Sequence, residues 1–150
     1  MRVTIIVLFA LSSVLAGMAI WHSSSKDSII CSANMDMYNY TLMIPAVIQF
    51  RMHGAKGEMF FDGPVYTSPM HIEGFLSRHI SFTSKQDGDS IILTSTKVEK
   101  FAKDAAKQSD AERLLPDFFI AENASMTVRL EKFREGYLFY KDNLPLMLCL

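Results

Sequence analysis

Apolar and polar residues alternate along most of the chain beyond its amino-terminal segment, and this two-residue period predicts β-strands. The clearest case is the second run, in which Ala46, Ile48, Phe50 and Met52 fall on one face. An Asp-Gly step at residues 87–88, between two such runs, is a strong hairpin signal. The predicted strands are residues 29–38, 46–52, 58–62, 79–84, 90–96, 124–133, 137–141 and 144–150.

Residues 97–115 depart from this pattern. Apolar residues recur there at helical spacing and most lysines fall on the opposite side, which predicts an amphipathic α-helix inserted between two strands. Phe101 and Ala105 are expected to pack against the sheet, with Lys103 and Lys107 in solvent.

The predicted fold is therefore mainly β, with about seven or eight short strands and one helix. These elements favour an antiparallel β-barrel or a strongly curled sheet. Gly63 and Pro64 are expected to end the third strand, because both residues weaken strand pairing. A sandwich of two sheets is the alternative, since hydrophobic periodicity does not distinguish the two architectures.

The chain has two cysteines, Cys31 and Cys149, at opposite ends of the strand-rich region. Their spacing does not fit a CxxC redox or zinc motif, and two cysteines that bracket a domain in an oxidising compartment favour a disulfide. Such a bridge would place the first and last strands side by side. Two free, buried thiols are the alternative.

The amino-terminal segment is apolar, with no charge between Arg2 and His22. About 20 apolar residues are enough for a helix to span a bilayer, so residues 3–21 are expected to lie in lipid. Trp21 suits the interfacial belt of a retained anchor, whereas residues 14–16 resemble a signal-peptide cleavage site. The charge of Arg2 favours an amino terminus in the cytoplasm.

The expected organisation is a transmembrane anchor at residues 1–21, a polar tether at 22–28 and one β domain at 29–150. The β domain would lie outside the cytoplasm. The net charge is −1 and the sequence contains no basic cluster, so nucleic acid is not expected as a direct partner.

Signatures of catalysis are missing from the sequence, which contains no GxSxG, phosphate-loop or HExxH motif. His71 and Glu73 match half of a zinc-deaminase signature, but the second half is absent. We therefore predict that the protein is not an enzyme and has no catalytic residue, metal or cofactor. The alternative is an enzyme with an unrecognised site, which would require His71, Glu73 and His79 to converge in a cleft.

The interior of such a barrel would be rich in phenylalanine and methionine, and flexible thioethers suit adaptable apolar pockets. A hydrophobic small molecule is therefore a candidate ligand. The candidate pocket residues are Phe50, Met52, Phe82, Met126, Val128 and Phe139.

Several features of the layout occur together: an amino-terminal anchor, a cysteine that opens the domain, RHISF at 78–82, and GYL at 136–138 leading to a penultimate cysteine. In these features the chain resembles the FidL-like family of inner-membrane proteins from enteric bacteria. Genes of that family typically neighbour a gene for a membrane-spanning, ToxR-like transcription regulator. The arrangement is similar to that of ToxS and VtrC, which are anchored periplasmic co-regulators.

The resemblance implies a single-pass protein of the bacterial inner membrane with its C-terminal domain in the periplasm. That domain would bind and stabilise the sensory domain of a ToxR-like regulator. In the VtrC arrangement the paired domains form a lipocalin-like barrel that binds bile salts, so a pocket for such an apolar ligand is implied here too. A free-standing, lipocalin-like periplasmic carrier or envelope protein is the alternative function.

Overall fold

A computed structural model describes residues 28–68, 71–107 and 112–150 of the chain. Within these residues the fold is mainly β, with a helical turn at 112–114 and a 3₁₀ turn at Asp117–Phe119. The described strands are β1 (Ser28–Tyr38), β2 (Met43–His53), β3 (Lys56–Ser68), β4 (His71–Asp87), β5 (Ser90–Lys100), β6 (Ser125–Phe133), β7 (Gly136–Lys141) and β8 (Leu144–Cys149).

The predicted transmembrane anchor and nearly all of the polar tether lie outside the described residues. Among the residues that are described, no helix has the length and apolar character needed to cross a bilayer.

Each strand pairs antiparallel with the next one in the sequence, so the sheet order runs from β1 to β8 without a crossover. Residues with positive φ occupy several of the connecting turns, among them Gly54, Gly88, Asp142 and Asn143. Glycine, asparagine and aspartate adopt this conformation more readily than other residues. The hairpin predicted at 87–88 is confirmed as the turn between β4 and β5.

The first and last strands meet and nearly close the sheet into a barrel. The amide of Ser32 donates to the carbonyl of Leu150 at 2.8 Å, and the amide of Leu150 donates to the carbonyl of Ser32 at 2.9 Å. Beside this pair, Cys31 and Cys149 form a disulfide with their Cα atoms 5.3 Å apart. The predicted barrel and the predicted disulfide are both confirmed, and the strands do not form a two-sheet sandwich.

The described domain begins and ends at the same end of the barrel, which we call the lower end. Because successive strands run in opposite directions, the turns after β2, β4 and β6 also lie at the lower end. The opposite, upper end carries the β1–β2 loop, the β7–β8 turn and the β5–β6 connection at residues 101–124.

Apolar side chains from alternate strand positions fill the barrel, together with residues of the β5–β6 connection. The ring of Phe50 lies 5.4 Å from that of Phe82 and 5.1 Å from that of Phe139, measured between centroids. Phe118 and Phe119 of the connection are also buried, and Phe118 lies 6.0 Å from Phe82. The connection therefore completes the core as well as joining two strands.

The prediction of one helix over residues 97–115 is wrong, because residues 97–100 belong to β5, residues 101–107 are irregular and residues 112–114 form a single helical turn. Strand β5 continues into this segment and pairs there with β4, and beyond the strand the amide of Ala105 donates to the carbonyl of Phe75. Phe101 is 46% exposed, although its ring stacks on Phe60 of β3 with 6.4 Å between centroids. Ala105 is exposed, and the two lysines expected in solvent are exposed on an irregular segment. The edge of β4 supplies backbone partners here, and this tertiary pairing overrides a weak helical pattern.

The third strand is longer than predicted, because Gly63 and Pro64 do not end it. Gly63 lies against β2, where an added Cβ atom would come 2.5 Å from the carbonyl oxygen of Pro45. Its missing side chain permits a close approach of two backbones, which is a common role of glycine inside a strand. Pro64 stands opposite Phe75 of β4, and β3 continues to Ser68 with register shifts near its end.

Candidate interaction surface

The six residues of the predicted apolar pocket lie in or beside the core. Five of them are buried, and Met126 is half-buried against them. The ring of Phe50 contacts those of Phe82 and Phe139, and a surface cavity of about 690 Å³ at the lower end touches Met52 and Phe82. In this structure the six residues pack the barrel, and their role in ligand binding stays a prediction.

The histidine and glutamate residues considered for catalysis do not converge. His71 and Glu73 are exposed at the start of β4, and His79 lies further along the same strand. At a rise of about 3.3 Å per residue, His71 and His79 stand roughly 25 Å apart. Among the described residues, no group of three or more histidine, cysteine, aspartate or glutamate side chains could hold a metal ion.

His79 instead belongs to a cluster on the outer face of β3, β4 and β5. Its ring stacks on Phe60 with 4.6 Å between centroids, its Nδ1 lies 3.3 Å from Glu99 Oε2, and its Nε2 lies 3.8 Å from Glu58 Oε2. The hydrogen bond from Lys97 is the largest of the causes that hold the pKa of Glu99 below its ordinary value. These groups are cross-strand neighbours, so sheet pairing accounts for their contacts.

A buried ion pair fixes the β5–β6 connection to the barrel wall. The Arg78 side chain is fully buried, with its Nε 3.1 Å from Asp104 Oδ2 and its Nη1 donating to the carbonyl of Phe119 at 2.9 Å. The same Asp104 oxygen accepts a hydrogen bond from the amide of Ser77 at 3.0 Å. We call Arg78, Asp104 and the Phe119 carbonyl the latch, because together they hold both halves of the connection.

The latch is not predicted by any motif of the sequence, although one signal for it is present. Arg78 occupies an inward-facing position of β4 between the apolar residues Leu76 and Ile80. An arginine at such a position is rarely buried unless its charge is paired. Its partner Asp104 lies in the segment predicted to be helical, so no local pattern links the two residues.

The outer face of the last strand is apolar and exposed. Leu144, Leu146, Leu148 and the adjoining Leu150 have exposed fractions of 70, 37, 39 and 68%. Ile30, on the outer face of β1, is 71% exposed. We call these five residues the seam face, because they flank the junction between β1 and β8.

The backbone junction beside the seam face is incomplete. Within the described residues, the backbone hydrogen bonds between β1 and β8 are those that join Ser32 and Leu150. The backbone groups of successive strand residues point alternately to the two sides, so Asn34 and Asp36 direct theirs to the same side as Ser32. The upper part of the junction therefore presents two strand edges, which are sites where another chain can pair.

The sequence does contain a signal for the seam face. Residues 144–150 are apolar on both faces of the strand, because leucines alternate with Met147 and Cys149. A strand of an antiparallel sheet with one face in water normally carries polar residues on that face. An exposed second apolar face is therefore a candidate interaction surface.

The family model of the YqeJ C-terminal domain matches residues 28–149. This is a domain family of unknown function, and the match gives no specific support to a FidL-like or ToxS-like assignment. No curated protein and no solved structure matches the chain.

Proposed function

We propose that this chain, which belongs to the YqeJ C-terminal domain family, is a membrane-anchored periplasmic co-regulator. Its β domain would bind and stabilise the periplasmic sensory domain of a ToxR-like transmembrane transcription regulator. The observation that carries the proposal is the seam face, an exposed apolar patch beside an incomplete strand junction. The identity of the regulator comes from the resemblance to FidL-like, ToxS and VtrC proteins.

The seam face supports a stable contact with another protein because it is apolar throughout. Covering a leucine-sized side chain completely contributes roughly 1.5 to 3 kcal/mol, from which the entropy cost of association is subtracted. The five side chains of the seam face are apolar, while Asn34 and Asp36 are exposed on the β1 side of the same junction. A partner would therefore meet it with apolar side chains rather than with opposite charge.

The strand edges beside the seam face indicate how a partner would bind. An extended segment of the partner would pair with the free edge of β1 or β8 by strand addition. In this mode the backbone hydrogen bonds fix the register, and the leucines of the seam face select the facing side chains.

Attachment to one membrane lowers the affinity that such a contact requires. The predicted anchor at residues 3–21 and the tether at 22–28 would keep the domain near the bilayer. Two domains tethered to the same membrane meet at a raised effective concentration, so a modest apolar interface is enough.

The apolar ligand implied by the resemblance, such as a bile salt, would bind at the joint surface of the two domains. The rings of Phe50, Phe82, Phe118 and Phe139 fill the interior of the isolated barrel. A pocket would therefore form where the partner covers the barrel rather than inside it.

A charge on the seam face should strongly weaken capture of the partner. The variant Leu148→Glu places a carboxylate within the contact, where burial without a counter-charge is unfavourable. We expect the amount of captured regulator to fall at least about tenfold, equivalent to about 1.4 kcal/mol of binding free energy. The measurement is the amount of ToxR-like regulator that co-purifies with the tagged full chain from solubilised membranes.

The matched control is Ile72→Glu, because Ile72 is 48% exposed on β4, which is three strands from β1 and four from β8 in the sheet order. It should leave capture of the regulator unchanged. A supporting result requires that the captured protein has a winged-helix DNA-binding domain and one membrane span. Equal capture by both variants contradicts the proposal, as does a dimer of the purified chain that Leu148→Glu dissociates.

A further inference from the structure

An aromatic cleft lies at the upper end of the barrel, between the β1–β2 loop and the end of β3. It has a volume of about 510 Å³, and its lining includes Tyr38, Tyr40, Met43, Pro45 and Tyr66. Tyr38 is 78% exposed and Tyr40 is fully exposed. None of these residues belongs to the core or to the seam face, so the exposed rings require another explanation.

The loop that carries Tyr40 is held in one shape by its own hydrogen bonds. Asn39 Oδ1 accepts from the amide of Thr41 at 2.9 Å and from the amide of Leu42 at 2.8 Å, which is an Asx turn. The amide of Asn39 donates to the carbonyl of Leu42, whose side chain is buried in the core. Binding at Tyr40 would therefore not require the loop to become ordered first.

The uncharged lining of the cleft restricts the kind of ligand that it can bind. None of the described residues that line the cleft carries a charge at neutral pH, although 21% of the residues in the whole chain are charged. A charged ligand would lose hydration in the cleft without gaining an opposite charge. The bound part of the ligand should therefore be neutral.

The chemistry of the lining indicates a ring with a polar rim. A tyrosine ring has a negative face, which attracts C–H groups, and a hydroxyl group at its edge. The side chains of Thr41 and Thr67 add hydroxyl groups that donate and accept hydrogen bonds. A pyranose has the matching surface, a flat face of C–H groups within a rim of hydroxyls. We infer that the cleft binds a short, neutral oligosaccharide stacked on Tyr38 and Tyr40.

The volume of the cleft sets the length of this oligosaccharide. A cavity of about 150 Å³ holds one benzene molecule, so the 510 Å³ of the cleft corresponds to a few six-membered rings.

Proline-rich peptides also bind aromatic grooves and are the alternative ligand of such a cleft. The threonine and tyrosine hydroxyls around the cleft favour the ligand with more hydroxyl groups.

Titration with two trisaccharides tests this inference. The full chain, in a detergent without a sugar headgroup, is titrated with chitotriose and with maltotriose by isothermal calorimetry. At least one of them should bind, and Tyr40→Ala should weaken that binding at least about tenfold. Tyr40→Phe keeps the ring and should weaken it less. Because Tyr40 is fully exposed, its variants should fold like the wild type.

Phe133→Ala is the control variant, because Phe133 is an exposed aromatic residue at the lower end of the barrel. It should bind the sugar like the wild type. The inference is overturned if neither trisaccharide binds, if Tyr40→Ala binds as well as the wild type, or if a proline decamer binds more tightly than both sugars. Since Leu148→Glu tests the seam face separately, this inference and the proposed function can fail independently.

Discussion

Replacing Cys31 and Cys149 with alanine should lower the free energy of unfolding by about 4 to 5 kcal/mol. The disulfide joins residues 118 positions apart, so it closes nearly the whole described domain into one loop. A cross-link of this length strongly restricts the unfolded chain. It also holds β1 against β8, where Ser32 and Leu150 supply the backbone hydrogen bonds. Denaturant unfolding of the full chain, followed by the circular dichroism of its β-sheet, measures the loss.

Chemical reduction provides the control for this prediction. Dithiothreitol should destabilise the wild type by the same amount and should leave the double alanine variant unchanged. If the reduced wild type were as stable as the oxidised protein, the remaining contacts between β1 and β8 would be sufficient to close the barrel. The role assigned to the disulfide would then be wrong.

The variant Asp104→Ala should lower the free energy of unfolding by about 3 to 5 kcal/mol. It removes the carboxylate that pairs with the buried Arg78 guanidinium and that accepts the hydrogen bond from the Ser77 amide. An uncompensated buried charge is strongly destabilising. Because Arg78 also donates to the Phe119 carbonyl, amide hydrogen exchange in Asp117–Phe119 should accelerate when Arg78 loses its ion-pair partner. Denaturant unfolding and hydrogen exchange measure the two effects.

Lys103→Ala is the matched control, since Lys103 lies in the same connection and its ion pair with Asp62 is exposed. An exposed ion pair contributes at most about 1 kcal/mol. The double variant Arg78→Met/Asp104→Leu should regain part of the stability lost in Asp104→Ala, because it removes the uncompensated charge but still leaves the Ser77 amide and the Phe119 carbonyl without these partners. Equally small effects of Asp104→Ala and Lys103→Ala would contradict the latch.

The strands could be predicted from sequence because their residues alternate. In β2 the residues from Ile44 to Met52 alternate in burial, so one face of the strand forms core and the other does not. The disulfide could be predicted because Cys31 and Cys149 bracket the domain. The bridge in turn placed the first and last strands together, which is the defining feature of a barrel.

The β5–β6 connection could not be predicted because its partners are distant in sequence. Its backbone bonds to Phe75, its Asp104 pairs with Arg78, and its phenylalanines occupy the barrel interior. Helical spacing is a local signal. These contacts depend instead on which part of β4 has no partner strand on the side of β5. The local pattern therefore predicted a helix where the described residues 101–107 form an irregular segment.

The predicted apolar pocket and the seam face differ in how far they could be predicted from the sequence. Alternation identified inward side chains such as Phe50 and Phe139, but it did not reveal that the interior would be filled by Phe118 and Phe119. The seam face is different, because the second apolar face of residues 144–150 can be read from the sequence alone. The sequence of this segment does not show which partner, if any, would bind there.

Regulator abundance in a strain that lacks this protein tests the proposed co-regulator function most directly. We predict that the amount of the ToxR-like regulator and the expression of its target genes both fall in the deletion strain. The wild-type chain and Ile72→Glu should restore both, whereas Leu148→Glu, Cys31→Ser and Cys149→Ser should restore them only in part. Unchanged regulator abundance and unchanged target-gene expression in the deletion strain would contradict the proposal.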